Sequence, residues 1–341
     1  MGRIHRIKRR KGKQIRVCLS ICAVALVIAI VMFAVQHLED RLSVKVENAG
    51  KQMTTHTNNE NTAQVFMNGQ WYQRKNVETL LVMGIDDFGT ITGSGSYNNT
   101  HQADFLMLFI RDRENGTCTA IHLNRDTMAN ITMLGVTGEK VGTQYAQIAL
   151  AFNYGRGQHD SGKNTVDAVS NLLYGIEIDH YIIVTMDAVP ILNDWAGGVT
   201  VEVLNDMTDV DGMLAIGEEI TLSGEQALVY VSARMGLENS TNINRMERQK
   251  QYAAEWMQSI QDELDNEQAV ADLMLRLDGY YFSNCTTKQL LTYAKSLSSN
   301  LTIKVFEIEG DSVRGNVYME FHVDETALQQ LVLEMFYSTV E

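Results

Sequence analysis

Val17 to Gln36 runs for 20 residues without a charged side chain, which no water-soluble layer of a domain readily absorbs. A helix of about 20 apolar residues crosses a hydrocarbon core of about 30 Å. On one flank, residues 1–16 carry Arg3, Arg6, Lys8, Arg9, Arg10, Lys11, Lys13 and Arg16 with no acid, whereas the other flank turns acidic at Glu39 and Asp40. Positive charge is retained on the cytoplasmic side. The pattern therefore predicts a basic cytoplasmic head at 1–16, a single transmembrane signal anchor at 17–36, and everything beyond it outside the cell membrane. A cleaved signal peptide is the competing reading, but its apolar core is usually only about 7–15 residues, and no small-x-small site closes this run.

The full chain of 341 residues has a formal charge of −14, and removing the eight positive charges of the head leaves −22 for residues 17–341. So acidic an exterior argues against nucleic acid as a partner. It also gives weight to any place where arginines gather. Of the four cysteines, Cys18 and Cys22 fall in the anchor; Cys118 and Cys285 remain, and the reading favours two thiols over a disulfide.

Residues 37–75 are polar and read as an extracellular stalk, with the folded domain expected over 76–341. Thr79–Ile85 is a buried strand by composition, ending in Asp86-Asp87, and a Gly/Ser/Asn-rich loop from Phe88 to His101 follows. Asp104 opens a second strand, Phe105–Ile110, and Asn115-Gly116 signals a hairpin into a third, Thr117–Leu123. Helices are predicted over Gln144–Tyr154, Thr165–Leu173, Asp187–Trp195, Ser223–Val231 and Asn244–Ile260, with strands at Ile178–Met186 and Val199–Val203. The tail adds helices near 267–276 and 286–298, strands near 301–308 and 317–323, and a last helix, Asp324–Tyr337. Helices mixed with strands predict the α/β class, an α/β/α sandwich on a mixed central sheet.

Three successive neighbouring strands run up, down and up. The end of the first (Asp86), the start of the second (Asp104) and the end of the third (Arg125) then share one end of the sheet, where α/β proteins commonly bind ligands. On the helix from Asn244, Arg245, Arg248 and Gln249 fall at spacings of three and four and share a face. Singly, each has a structural explanation: a turn-capping aspartate, a surface ion pair, a solvated helix face. Together they pair carboxylates able to hold a divalent cation with arginines able to grip phosphate, the parts of a phosphoryl-transfer site. No histidine spacing suits zinc, Gly155-Arg156-Gly157 lacks the Lys-Ser/Thr of a phosphate loop, and no Gly-x-Ser-x-Gly elbow is present.

These residues resemble the LytR–CpsA–Psr family of membrane-anchored cell-wall enzymes. The resemblance covers roughly 78–258 and rests on Leu-Leu-Val-Met-Gly-Ile-Asp (80–86), Ala-Asp-Phe-Leu-Met-Leu (103–108), Leu-Asn-Arg-Asp-Thr-Met (123–128), Gly-Ile-Glu-Ile-Asp-His-Tyr (175–181), Gly-Gly-Val-Thr-Val (197–201), Ala-Arg-Met (233–235) and Asn-Arg-Met-Glu-Arg-Gln (244–249). It implies phosphotransfer outside the cell. A glycopolymer phosphate on undecaprenyl pyrophosphate passes to a peptidoglycan hydroxyl, with Mg²⁺ at the pyrophosphate and the lipid in an apolar cleft. Carried over, Asp86 and Asp104 are the metal carboxylates; Arg125, Arg234, Arg245 and Arg248 hold the pyrophosphate with Gln249 in support; Arg125, Asp104 and Arg245 are the catalytic set.

The chain departs from the family wording at several points. Asp86-Asp87-Phe88 replaces Asp-x-Arg, Gln102-Ala103-Asp104 replaces Arg-Ser-Asp, Ser232-Ala233-Arg234 replaces Arg-x-Arg, and Asn242 occupies an acidic position. Up to three arginines and one general base are thus missing, with Glu247 and Glu238 as replacement bases between which the sequence does not choose. The departures motivate a runner-up, a catalytically weak binding or regulatory member; a polyprenyl-pyrophosphate pyrophosphatase differs only in using water as acceptor.

Overall fold

Alternation with a period of two decides the architecture. Leu80 and Val82 enter one apolar core while Leu81, Met83 and Ile85 enter another, so the strand carrying them is covered on both sides. The computed structural model describes residues 64–67, 69–91, 101–233, 242–260, 267–286, 289 and 304–340. The strands are β1 (Gln64–Met67), β2 (Gln70–Arg74), β3 (Val77–Ile85), β4 (Ala103–Asp112), β5 (Cys118–Leu123), β6 (Met128–Leu134), β7 (Lys140–Gln147), β8 (His180–Thr185), β9 (Val199–Glu202), β10 (Glu219–Leu222), β11 (Tyr281–Ser283), β12 (Lys304–Glu307), β13 (Gly310–Arg314), β14 (Met319–Val323) and β15 (Tyr337–Thr339). The helices are α1 (Gln158–Leu172), α2 (Ala188–Trp195), α3 (Gly224–Ser232), α4 (Asn242–Ser259), α5 (Glu267–Leu277) and α6 (Glu325–Phe336), with a 3₁₀ helix at Ile148–Tyr154.

Six strands form the central sheet in the order β11-β8-β3-β4-β5-β12. The β3–β4 and β4–β5 pairs are antiparallel, as the up-down-up expectation requires, while β8–β3 and β12–β5 are parallel. One face packs under α2, α3, α4 and α5 through Leu192, Ala227, Tyr230, Trp256 and Leu273. The other packs against the 3₁₀ helix, α1 and α6 through Phe152, Ala168, Val169, Leu328 and Val332. This is the expected α/β/α sandwich on a mixed sheet.

Local chemistry fixes several boundaries. Ser223 and Gln226 form a reciprocal capping box at the start of α3, and Asp324 accepts the Thr326 and Ala327 amides at the start of α6. Pro190 sits in the first turn of α2, where a missing N–H costs nothing, and Gly197 beyond its end takes φ +75°.

Three expectations are corrected. Part of the predicted stalk folds: β1 and β2 pair antiparallel and β15 adds to β2. The overlooked signal was the Asn68-Gly69 dipeptide of the sequence; Met67 pairs with Gln70, and Gly69 adopts φ +80°. The helix expected at Gln144–Tyr154 is the end of β7 followed by the 3₁₀ helix, because Thr143, Tyr145 and Gln147 continue an exchange with β6 that only a strand satisfies. Finally, α1 begins at Gln158, ahead of Thr165. The head at 1–16, the anchor at 17–36, most of the Phe88–His101 loop and most of the 286–298 helix lie outside the described residues. Among the described residues, no helix is long and apolar enough to cross a membrane. Among the described residues, neither Cys118 nor Cys285 is joined in a disulfide.

Candidate active site

The turn Asn124-Arg125-Asp126-Thr127 at the end of β5 builds the centre of the site. The Asn124 side chain accepts the Asp126 amide at 3.0 Å, and the Thr127 hydroxyl donates to the Asn124 carbonyl at 2.6 Å. Such local side-chain bonds hold a sharp reversal that neither helix nor strand could supply. The turn aims Arg125 at the start of β4, where its guanidinium pairs with the Asp104 carboxylate and donates to the Gln102 side-chain oxygen.

Arg245 reaches the same carboxylate from α4, donating to Asp104 Oδ2 at 2.8 Å and to the Asp104 carbonyl at 3.3 Å. The nitrogen that meets the Asp104 carbonyl, Nη2, also donates to Asn242 Oδ1 at 2.5 Å, and Asn242 donates to Asn124 Oδ1 at 2.5 Å, closing a ring between helix and turn. Arg125 is 5% exposed, Arg245 1% and Asp104 9%. Arg125 Nε also lies 3.5 Å from Asp126 Oδ1, so two buried guanidiniums are matched by the Asp104 and Asp126 carboxylates where water is largely excluded. Asp86 joins from the end of β3: its Oδ1 accepts the Gln102 amide at 2.5 Å and its amide donates to the Gln102 carbonyl at 3.1 Å. Asp86, Gln102, Arg125, Asp104 and Arg245 are therefore one connected set; the strand-end argument anticipates Asp86, Asp104 and Arg125 among them.

Arg248 does something else. Its Nε donates to the Tyr230 carbonyl at 2.7 Å, one terminal nitrogen to Asn205 Oδ1 at 2.8 Å, and the other to the Ala233 carbonyl. It binds the carbonyls that α3 leaves unsatisfied at its C-terminal end, a structural duty. Burial, together with repulsion from Arg245, pushes this guanidinium down to about 10 despite the opposing pull of Tyr230. In this structure Arg248 acts as a helix cap, and its three nitrogens are engaged at the end of α3 and at Asn205. Gln249 donates to the Val231 carbonyl at 3.1 Å and lines the site beside Asp104. Arg234 lies outside the described residues.

Asp104 stands at the polar margin, with Thr185 and Gln249, of an otherwise apolar cavity of about 150 Å³. Val82, Phe105, Val189, Leu192, Tyr252 and Trp256 are among its walls, between the sheet and α2 and α4. Gly84 supplies no side chain on the strand face where one would otherwise fill it. For a divalent cation, the chain offers Asp86 and Asp104; among the described residues no group of three or more His, Cys, Asp or Glu is arranged to hold a metal. Two carboxylates suit Mg²⁺ only when phosphate oxygens and water complete its shell. The donor set fits in that shared form and in no other.

Residues 41–336 match the LytR_cpsA_psr family. The chain belongs to that family. Over 164 residues it is 31% identical to the polyisoprenyl-teichoic acid–peptidoglycan teichoic acid transferase TagU of Halalkalibacterium halodurans. The match covers 47% of this chain and 49% of that protein, so it spans about half the length of the relative. The structure of TagV of B. subtilis is similar with a TM-score of 0.55 at 23% identity, covering 76% of this chain and 97% of TagV. TagT bound to LI-WTA is similar with a TM-score of 0.55 at 21% identity, covering 76% of this chain and 90% of TagT. These likenesses show that the sandwich is the fold of LytR_cpsA_psr proteins. Within that fold the chain sets Gln102 and Asn242 beside its arginines. The sequence presented both only as departures from the family wording; their signal was position, directly ahead of β4 and at the start of α4.

Proposed function

We propose that this LytR_cpsA_psr protein is a membrane-anchored phosphotransferase acting outside the cell. It moves a glycopolymer phosphate from undecaprenyl pyrophosphate to a peptidoglycan hydroxyl. The observation that carries this reading is Asp104, gripped by Arg125 and Arg245 at the margin of an apolar cavity. A lipid diphosphate offers that arrangement both of its halves: hydrocarbon for the cavity and an anion for the guanidiniums.

In the reaction Arg125 and Arg245 turn part of their hydrogen bonding from Asp104 to the diphosphate, and Arg234 is the further arginine assigned to it. Asp104, so released, and Asp86 would hold Mg²⁺, which would supply charge neutralisation at the departing phosphate. Positioning and charge neutralisation account for most phosphoryl-transfer catalysis, so no covalent protein nucleophile is needed. Anchoring through residues 17–36 would keep the domain beside its lipid substrate.

The test uses the full chain in detergent with a polyprenyl-pyrophosphate-linked saccharide, Mg²⁺ and peptidoglycan fragments. Appearance of polyprenyl monophosphate together with a wall-linked phosphodiester supports transfer. Consumption with release of a free saccharide phosphate assigns a pyrophosphatase instead. Binding without consumption assigns the regulatory reading, which Gln102 and Asn242 motivate as departures from the family wording.

A further inference from the structure

Arg125 meets a partner at each of its three nitrogens. Nη1 pairs with the Asp104 carboxylate, Nη2 donates to the Gln102 side-chain oxygen, and Nε lies 3.5 Å from Asp126 Oδ1 within its own turn. Under the function proposed above, on which this inference rests, Asp104 gives up part of its contact when a diphosphate binds. Asp126 has no reason to do so. It touches the guanidinium at Nε, the nitrogen nearest the backbone, and leaves the two terminal nitrogens of the fork to an incoming phosphate.

Asp126 is itself braced on several sides. It is 6% exposed, and its Oδ1 accepts the side-chain amide of buried Gln147 at 2.8 Å. The same Gln147 nitrogen donates to the Met319 carbonyl at 2.8 Å, and the Asp126 carbonyl accepts the Phe321 amide at 2.9 Å. From the 3₁₀ helix, the Ile148 amide donates to the Thr127 carbonyl at 2.8 Å and the Ala149 amide to the Arg125 carbonyl at 3.2 Å. The end of β7, the start of the 3₁₀ helix and β14 therefore hold the turn as a block. Through β14 the tail reaches the site, although it lies beyond the stretch 78–258 that carries the resemblance.

These bonds separate the charge of Asp126 from its shape. Gln147 and Phe321 require only an oxygen and a peptide group, which an asparagine would supply equally. The negative charge is addressed to Arg125. It also opposes the attraction of an anion, so it does not serve affinity. We infer that Asp126 is a positioning residue, the fixed rest that keeps Arg125 aimed at the diphosphate once Asp104 turns away. Aim matters most in the transition state, where a misplacement of about 1 Å can cost about 10²-fold in rate. Removing the charge therefore slows the reaction while ground-state binding persists.

The experiment compares the full chain in detergent with Asp126→Asn and Gln147→Met, using polyprenyl pyrophosphate for binding and the saccharide-linked form for turnover. The Arg125 Nε–H resonance, assigned by its loss in Arg125→Met, reports the guanidinium directly. Asp126→Asn is expected to move that resonance and speed its exchange with water. It should lower kcat by about 30–100-fold with the dissociation constant within about threefold of wild type. Gln147→Met, which keeps the charge and removes the brace, should change kcat in the same direction and by less. An unmoved Arg125 resonance in Asp126→Asn overturns the inference, as does a wild-type kcat. Affinity and kcat that fall together, in step with the melting temperature, overturn it by making the carboxylate purely structural. A wild type that binds polyprenyl pyrophosphate without turnover refutes the proposed transfer alone; ligand addition must then shift the Arg125 resonance in wild type and not in Asp126→Asn, or the inference falls too. A wild type that does not bind overturns both.

Discussion

Replacing Arg248 by Met separates a helix cap from a phosphate ligand. The side chain is fully buried, and its three nitrogens satisfy the Tyr230 and Ala233 carbonyls and Asn205. Methionine fills comparable volume but donates nothing. Two orphaned main-chain carbonyls cost about 1–3 kcal/mol each, and relief from burying a guanidinium returns part of that, for a net loss of about 3 kcal/mol. At about 2–4 °C per kcal/mol for a domain of this size, the melting temperature should fall by about 6–12 °C. Thermal denaturation of the full chain, followed by circular dichroism, measures this, and calorimetric titration with polyprenyl pyrophosphate at a temperature where the variant is folded measures affinity. Affinity should move by less than about threefold, because a change of 1.4 kcal/mol or more would be required for about tenfold. A variant that melts with wild type yet binds at least tenfold more weakly would refute the cap and restore Arg248 to the phosphate.

Arg125→Met should cost about 1.5–3 kcal/mol of diphosphate binding, or about 10–100-fold in the same titration at a temperature where the variant is folded, since it removes a charge-assisted contact in the site, and it should also lower stability by leaving Asp104 short of a partner. Asp104→Asn should destabilise the fold by about 3–5 kcal/mol in denaturant titrations, because it strips the shared partner from two buried guanidiniums. Burial, reinforced by Lys250 and Arg245, holds His122 down to about 3, so between about pH 6.5 and 3 the unfolded chain binds a proton that the folded chain excludes, and stability present above pH 6.5 is lost as the solution is acidified. At about 1.4 kcal/mol per unit, a drop from pH 6.5 to 4.5 should cost about 2–3 kcal/mol in urea denaturation, and His122→Phe should abolish that component. Gly162→Ala would set a Cβ 2.4 Å from the buried Tyr181 ring, and its overpacking penalty of about 1–3 kcal/mol should outweigh any gain in helix propensity, as chemical denaturation will show.

The layout of the site was legible where it depended on strand direction. Apolar runs bounded by Asp86, Asp104 and Arg125, with a hairpin signal between the second and third, require those three residues to share one end of the sheet whatever the packing around them. Helix spacing put Arg245, Arg248 and Gln249 on one face, and the family resemblance carried that face to the same place. Spacing could not separate Arg245 from Arg248, because a spacing of three defines a face but not what that face meets: one arginine found a carboxylate and the other the end of a neighbouring helix. Gln102, Asn124 and Asn242 were invisible as site residues for a related reason, since a neutral amide becomes informative only when its partner is known. His122 read as an ordinary core or loop histidine, and the unsatisfied Nδ1 of its buried ring is a property of three-dimensional placement. Elsewhere Gln144–Tyr154 misled because a strand running into a 3₁₀ turn mimics helical spacing over a short stretch. The segment before Asn76 misled because its polarity outweighed the turn signal at Asn68-Gly69.

The pairing of β2 with β15 joins the outermost portions of the folded region in one small sheet. Val340 donates to the Trp71 carbonyl at 2.9 Å, so the last described residue is stitched to the leading hairpin. Anything fused downstream of residue 340 will therefore emerge beside the hairpin of β1 and β2. A bulky C-terminal label would crowd that flank, whereas clipping β15 would leave β2 with an unzipped margin open to a neighbouring molecule.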